Sequence, residues 1–229
     1  RRVGRCPSMV SGGVEIMRQR RWRSLIILLA LPFVLGGNCA FFFSSGGGSS
    51  DDDESRKGLT VVVTDGQFVD APVQGLYYES GTLSGFTDGD GRFQYREGEE
   101  VRFFIGDIPL GEAAPGKALL TPLDLVSGGS LDTPAVINIA RLLQSLDAEP
   151  GEQSITIPEH VQAGAVVSNE MLASAIEFLD FSDDPAFANA ASQLVAVLTR
   201  DYPRTMSLVD RETAREHLRQ SLERFKTAR

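Results

Sequence analysis

The chain has 229 residues, 42% of them hydrophobic and 23% charged, and a formal net charge of −9; this is an ordinary balance for one globular domain, or for one small and one medium domain. Residues 1–38 hold seven of the 22 Lys and Arg and one of the 31 Asp and Glu, which leaves 15 basic and 30 acidic residues, a net −15, on the remainder. So acidic a surface, with no basic stripe, repels phosphate and excludes nucleic acid as a partner.

Two cysteines occur, Cys6 and Cys39, both ahead of the region that reads as globular. That region is therefore expected to hold neither a disulfide nor a thiolate metal site. Residues 1–16 carry no pattern, and Met17 is the expected initiator of an over-called start. Residues 17–38 read as a signal segment, with Arg18, Arg20, Arg21 and Arg23 as the positive end and Leu25–Leu35 as the apolar run. A run of that length spans roughly 16 Å as a helix, about half of a ~30 Å hydrocarbon core.

Cys39 follows directly. Behind it lie Ala40 and Phe41–Phe43, then a Gly/Ser stretch and the acidic run Asp51–Glu54, so residues 39–57 read as a flexible tether. This order of parts resembles a bacterial lipoprotein, in which the cysteine becomes the acylated first residue and holds the protein to a membrane. Gly36 and Asn38 depart from that family's preference for Leu three residues before the cysteine and a small Gly, Ala or Ser directly before it. Ordinary signal cleavage after Ala40, or an uncleaved anchor helped by the three Phe, stays open beside lipidation of Cys39.

Residues 58–116 carry a β pattern. Strands are expected at Leu59–Val63, Val73–Tyr78, Arg92–Tyr95, Val101–Ile105 and Ile108–Leu110, separated by Gly-rich breakers such as 88–91. Turn signals about every ten residues predict a small antiparallel β-sandwich. Residues 117–229 switch to helical periodicity and predict about four helices packed on it. One is capped by Asp132 or Thr133 ahead of Pro134, one runs from Glu170 to Leu179, one begins at Asp183 or Asp184, and one begins at Ser207 or Asp210. A short extended piece, Ile155–Pro158, interrupts them. The fold class is α+β.

The segment Gly85–Tyr95 resembles the turn-and-strand signature of prealbumin-like and carboxypeptidase-regulatory-like β-sandwich modules. Together with Val101–Gly111, Leu120–Val126, Asn138–Asp147 and Ile155–Ile157, it resembles uncharacterised proteobacterial cell-envelope lipoproteins. The resemblance implies an address and an architecture, and transfers no activity.

No catalytic constellation stands out. Gly-x-Ser-x-Gly is absent, and the two histidines, His160 and His217, have no nucleophile beside them in sequence, so each is expected to be solvated or locally hydrogen-bonded. Asp88 and Asp90 are weak calcium candidates. They supply two carboxylates one residue apart, with Glu97, Glu99 and Glu100 further on, but not at twelve-residue loop spacing. The same Asp-Gly repeat also makes a tight turn. Tyr77, Tyr78, Phe93, Tyr95, Phe103 and Phe104 are expected to serve the core rather than a ligand groove.

These readings predict no cofactor and no metal. They predict a non-enzymatic binding or assembly module in the cell envelope, lipid-anchored and facing the periplasm or cell surface, or otherwise periplasmic or secreted. Its partners are the membrane, through the anchor, and an envelope protein or small ligand. A hydrolase-associated domain or envelope enzyme is the rival class, and a substrate-capturing accessory component of a transporter is a third.

Overall fold

The computed structural model of the protein describes residues 62–151, 153–168 and 170–227. Cys6, Cys39, the signal pattern, the tether and the Leu59–Val61 part of the first expected strand lie outside them. In chain order the described residues form β1 (Val63–Phe68), β2 (Val73–Gln74), β3 (Tyr77–Ser80), β4 (Leu83–Phe86), β5 (Arg92–Arg96), β6 (Glu100–Ile105), β7 (Ile108–Pro109), β8 (Ala114–Pro115) and β9 (Leu119–Leu120). There follow α1 (Pro134–Ser145), β10 (Ile155–Thr156), α2 (Glu159–Gly164), α3 (Glu170–Glu177), α4 (Asp184–Leu198) and α5 (Arg211–Thr227). The class is mixed α+β.

One sheet runs β4-β3-β6-β7, with β8 on β6, and every pairing in it is antiparallel. In a second, β5 and β1 pair antiparallel and the short β9 joins β1 in parallel. A third pairs β10 with β2 in parallel. Leu119–Leu120 and Ile155–Thr156, which sequence assigns to the helical half, thus complete strands begun in the β half.

Gly75 and Gly91 explain two of the breaks. The expected strand Val73–Tyr78 divides into β2 and β3 at Gly75, where φ is +85° and a Cβ would sit 2.1 Å from the Ile157 carbonyl oxygen. That close approach lets the β10 strand lie against β2. Gly91 (φ +73°) ends the Asp88–Gly91 turn, where a Cβ would meet the Phe68 oxygen at 2.6 Å. Its own carbonyl accepts the Phe68 N–H at 2.8 Å, so the backbones of β1 and this turn touch.

Alternation builds the core. Phe93 and Tyr95 of β5 and Val101, Phe103 and Ile105 of β6 are buried, while the intervening Gln94 and Arg102 are exposed. Phe103 meets Phe68 at 4.6 Å and Phe93 edge-on at 5.1 Å between ring centroids. Ile139, Leu142, Leu143 and Leu146 close the same cluster from the helical side, so strands and helices share one core. Opposite faces of α1 pack against different neighbours, because Val136, Ile137 and Ala140 meet Ala214 and Leu218 of α5.

Helix α1 therefore buries polar side chains too, and each finds partners. Asn138 Nδ2 donates to the Phe181 carbonyl at 2.9 Å. Arg141 donates to the Val209 carbonyl (2.8 Å), to Asn138 Oδ1 (3.0 Å) and to Asp184 Oδ1 (3.2 Å), and its guanidinium lies 5.4 Å from the Phe187 ring centre. Burial pulls the Arg141 pKa down, and the Asp184 carboxylate opposes it. Ser145 Oγ donates to the Arg141 carbonyl and accepts from Val209 N–H at 2.8 Å.

Among the described residues the helices number five, against the expected four or so. The addition is α2, a short helix that starts after Pro158, whose fixed φ suits a helix entry. Helix α4 starts as expected, with Asp183 accepting from Ala186 N–H at 3.1 Å. Helix α3 stops at Glu177 rather than Leu179. Among the described residues no helix is long and apolar enough to cross a membrane.

Candidate functional site

The aromatic set divides by face. Tyr78, Phe93, Tyr95 and Phe103 are in the core as expected, but Tyr77 and Phe104 are only partly buried. They lie on the other face of the sheet in one cross-strand row with Phe86, with Tyr77 5.4 Å from Phe86 and 6.1 Å from Phe104. The rings are tilted by 59° and 49°, so the row is not a flat platform.

The calcium candidates serve a turn. Asp88 Oδ1 accepts from Asp90 N–H (2.9 Å) and Arg92 N–H (2.8 Å), and the Asp90 carboxylate faces Arg92 at 3.7 Å. Among the described residues no group of three or more His, Cys, Asp or Glu is arranged to hold a metal ion.

The two histidines have different surroundings. His217 of α5 brings Nδ1 to 3.1 Å from Oδ1 of Asp70, a carboxylate with no solvent exposure in the turn between β1 and β2. Gln144 of α1 donates to the other carboxylate oxygen at 2.9 Å. Next to Asp70, Ala71 holds φ +59°, a strained backbone for a non-glycine residue. Both Asp70 oxygens are thus satisfied, and the contact ties three elements together. Sequence reasoning missed this pair because Asp70 and His217 are 147 positions apart.

His160 lies on α2 with its ring edge-on to Tyr202 at 5.6 Å. It stands at the mouth of a groove formed by α2, α3 and α4. Two hollows of about 190 Å³ and 310 Å³ share Met171, Ala175 and Gln193 in their walls, so they adjoin one another along the α3–α4 seam. Its apolar wall includes Leu172, Leu194, Val197 and Leu198, and its polar end gathers His160, Arg200 and Asp201.

Local sequence explains the groove. On α3, Leu172 is buried in the core and Ala175 and Ile176 pack against it partly buried, while Met171 and Phe178, seven residues apart, stay exposed along the seam. The core takes the first group, so Met171 and Phe178 are left over. Met171 is 63% exposed and Phe178 67%. Together with Val166, Val167 and Val197 they make five of the eight large hydrophobics that are solvent-exposed among the described residues. Between Asp184 and Arg200 the sequence has no charged residue, so the α4 wall is uncharged.

The base of the groove is fixed to the strands. Gln162 of α2 donates to the Gly75 carbonyl at 2.6 Å and accepts from Gly106 N–H at 2.7 Å. Asp107 accepts from Val167 N–H at 2.7 Å. At the far end, Ser182 donates both its N–H (2.8 Å) and its hydroxyl (2.7 Å) to Asp180, which holds that carboxyl below its usual range and shapes the α3–α4 connection. Neither Asp70 nor His217 lines this groove. Its size decides what it admits: a dry cavity of about 150 Å³ takes a benzene ring, whereas drug-sized ligands need roughly 300–1,000 Å³. The deeper hollow therefore suits a single apolar group of side-chain size. Compared with known proteins, the chain matches no family model, no curated protein and no solved structure.

Proposed function

We propose that this chain is an exported cell-envelope lipoprotein, held at a membrane through Cys39, whose folded region is a non-enzymatic binding or assembly module. In this reading the β4-β3-β6-β7 and β5-β1-β9 sheets form a small prealbumin-like β-sandwich with the helices as companion. The Arg18–Arg23 cluster, the Leu25–Leu35 run and the Gly/Ser tether behind Cys39 support export and anchoring. The observation that carries the binding function is the α3–α4 groove, where exposed Met171 and Phe178 flank a cavity of side-chain size.

Expression from Met17 followed by mass spectrometry of the mature N-terminus tests the address. A diacylglyceryl mass on Cys39 is expected, and a free N-terminus at Phe41 would remove the tether. The activity class is tested by esterase, peptidase and glycosidase assays on the purified chain, for which no turnover is expected. Robust turnover abolished by His217→Asn or His160→Asn would overturn the non-enzymatic reading.

A further inference from the structure

We infer that the α3–α4 groove is the docking site for a basic amphipathic helical segment of a partner protein, with bulky apolar side chains on one face and Lys or Arg on the other. This rests on the binding-module reading and names the class of partner. Three features of the groove converge on that ligand.

The first is shape. Two adjoining hollows of about 190 Å³ and 310 Å³ along one helix–helix seam offer one site each to successive anchor side chains of a helix laid into a groove. Met171 and Phe178, seven residues apart on α3, form the outer lip. A flexible thioether and an aromatic ring are side chains that adapt to a partner's anchors.

The second is charge. No Lys or Arg occurs between Arg141 and Arg200. Exposed acids instead flank the lining residues in the chain: Glu170 and Glu177 directly precede Met171 and Phe178 on α3, Asp180 and Asp183 stand in the α3–α4 connection, and Glu159 precedes His160 at the start of α2. The one Lys or Arg in the lining, Arg200, is 3.4 Å from Asp201. An apolar seam with an acidic rim is complementary to a ligand that is apolar inside and cationic outside.

The third is desolvation. With no charged residue between Asp184 and Arg200, a partner's apolar face can cover the α4 wall without burying an unpaired charge. The same charges weigh against other occupants. A second copy of the chain would set two acidic rims face to face, and an anionic bilayer would be repelled in the same way.

The experiment uses the chain expressed from Met17 and purified in its processed form. The probe is a fluorescent synthetic peptide with Leu on one helical face and Lys on the other. Saturable binding is expected, weaker by about tenfold or more in Met171→Ser or Phe178→Ser. Combined Glu170→Lys and Glu177→Lys should also weaken it about tenfold, and raised salt should weaken the parent but not this variant. Because all four side chains are exposed, melting temperatures should stay unchanged, which separates lost docking from lost folding.

Equal binding of a Leu/Glu peptide, indifference to these substitutions, adsorption to phosphatidylglycerol vesicles through Met171 and Phe178, or self-association lost in Phe178→Ser would each overturn the inference. A neutral amphiphile, dodecyl maltoside, that saturates the groove while the peptide fails to bind would overturn the partner class and leave the binding-module reading standing. Failure of both probes would remove the groove as a binding site.

Discussion

Helices α1 and α3 read alike in sequence and live differently in the fold. Each has apolar residues at helical spacing, yet nine of the twelve residues of α1 are buried and α3 buries only Leu172. The reason is placement. Helix α1 lies between the strand core and α5, so both of its faces are covered and even Asn138 and Arg141 must be satisfied inside. Helix α3 rests on α4 at one edge, and what it does not bury there is left exposed. An apolar face on a helix thus means stability in one place and, under the proposed docking, recognition in the other.

The widest separation should come from paired truncations. Leu142→Ala in α1 removes a side chain with no exposure and is expected to cost about 2–5 kcal/mol in urea denaturation. Met171→Ala in α3 should stay within about 0.5 kcal/mol of the parent. Hydrogen exchange should show the same order, with α3 amides exchanging through local opening and α1 amides only near the global limit. Equal costs for the two truncations would break the comparison.

Arg141→Ala should destabilise by about 2–3 kcal/mol, since it strands the Val209 carbonyl and Asn138 Oδ1 without their donor. Arg141→Lys should recover only part of this, because an ammonium cannot reproduce the planar fork of donors. Full recovery would show that charge alone holds the α1 network together.

A smaller effect is expected just beyond α1. Burial holds the Asp147 carboxyl above its usual range, although Thr156 and Glu149 N–H groups donate to it. A raised acid favours the fold while protonated, so its contribution is complete below the ordinary value of 3.8 and is lost as pH climbs through the raised value. Asp147→Asn keeps an acceptor for both N–H groups. It should melt about 1–3 °C higher at neutral pH, with the gap closing toward pH 4. A gap that widens on acidification would reverse this assignment. Smallest of all, Phe178→Ser should leave stability within about 0.5 kcal/mol and change only what the groove binds.

Much of the architecture was legible in the residues. The alternation in Arg92–Tyr95 and Val101–Ile105 predicted β5 and β6, and the Asp183-Asp184-Pro185 signal predicted the start of α4. Strand β4 was not legible, because Leu83-Ser84-Gly85-Phe86 has a glycine and a serine where period-two reading looks for apolar residues. Helix α2 was missed because its six residues are too short for periodicity to register. The groove was hidden for a different reason. Met171, Ala175 and Phe178 match a core-facing stripe in spacing, and only the packing shows that Leu172, Ala175 and Ile176 meet the core while Met171 and Phe178 stay exposed. The Asp70–His217 contact depends on tertiary proximity that no local pattern encodes.

The attachment of α2 has a mechanical consequence. Gln162 and Asp107 bolt the groove's base to turns of the strand layer, and α4 is anchored by Phe187, Ala191, Leu194 and Val195. The α3 wall rests on the core through Leu172, with Ala175, Ile176 and Leu179 partly buried beside it, so it is the less deeply seated of the two walls. In the proposed site the α4 side would be the fixed jaw of a vise, setting where a guest registers, and the α3 side would set how wide a guest fits. Such a clamp would hold a family of related segments rather than a single sequence.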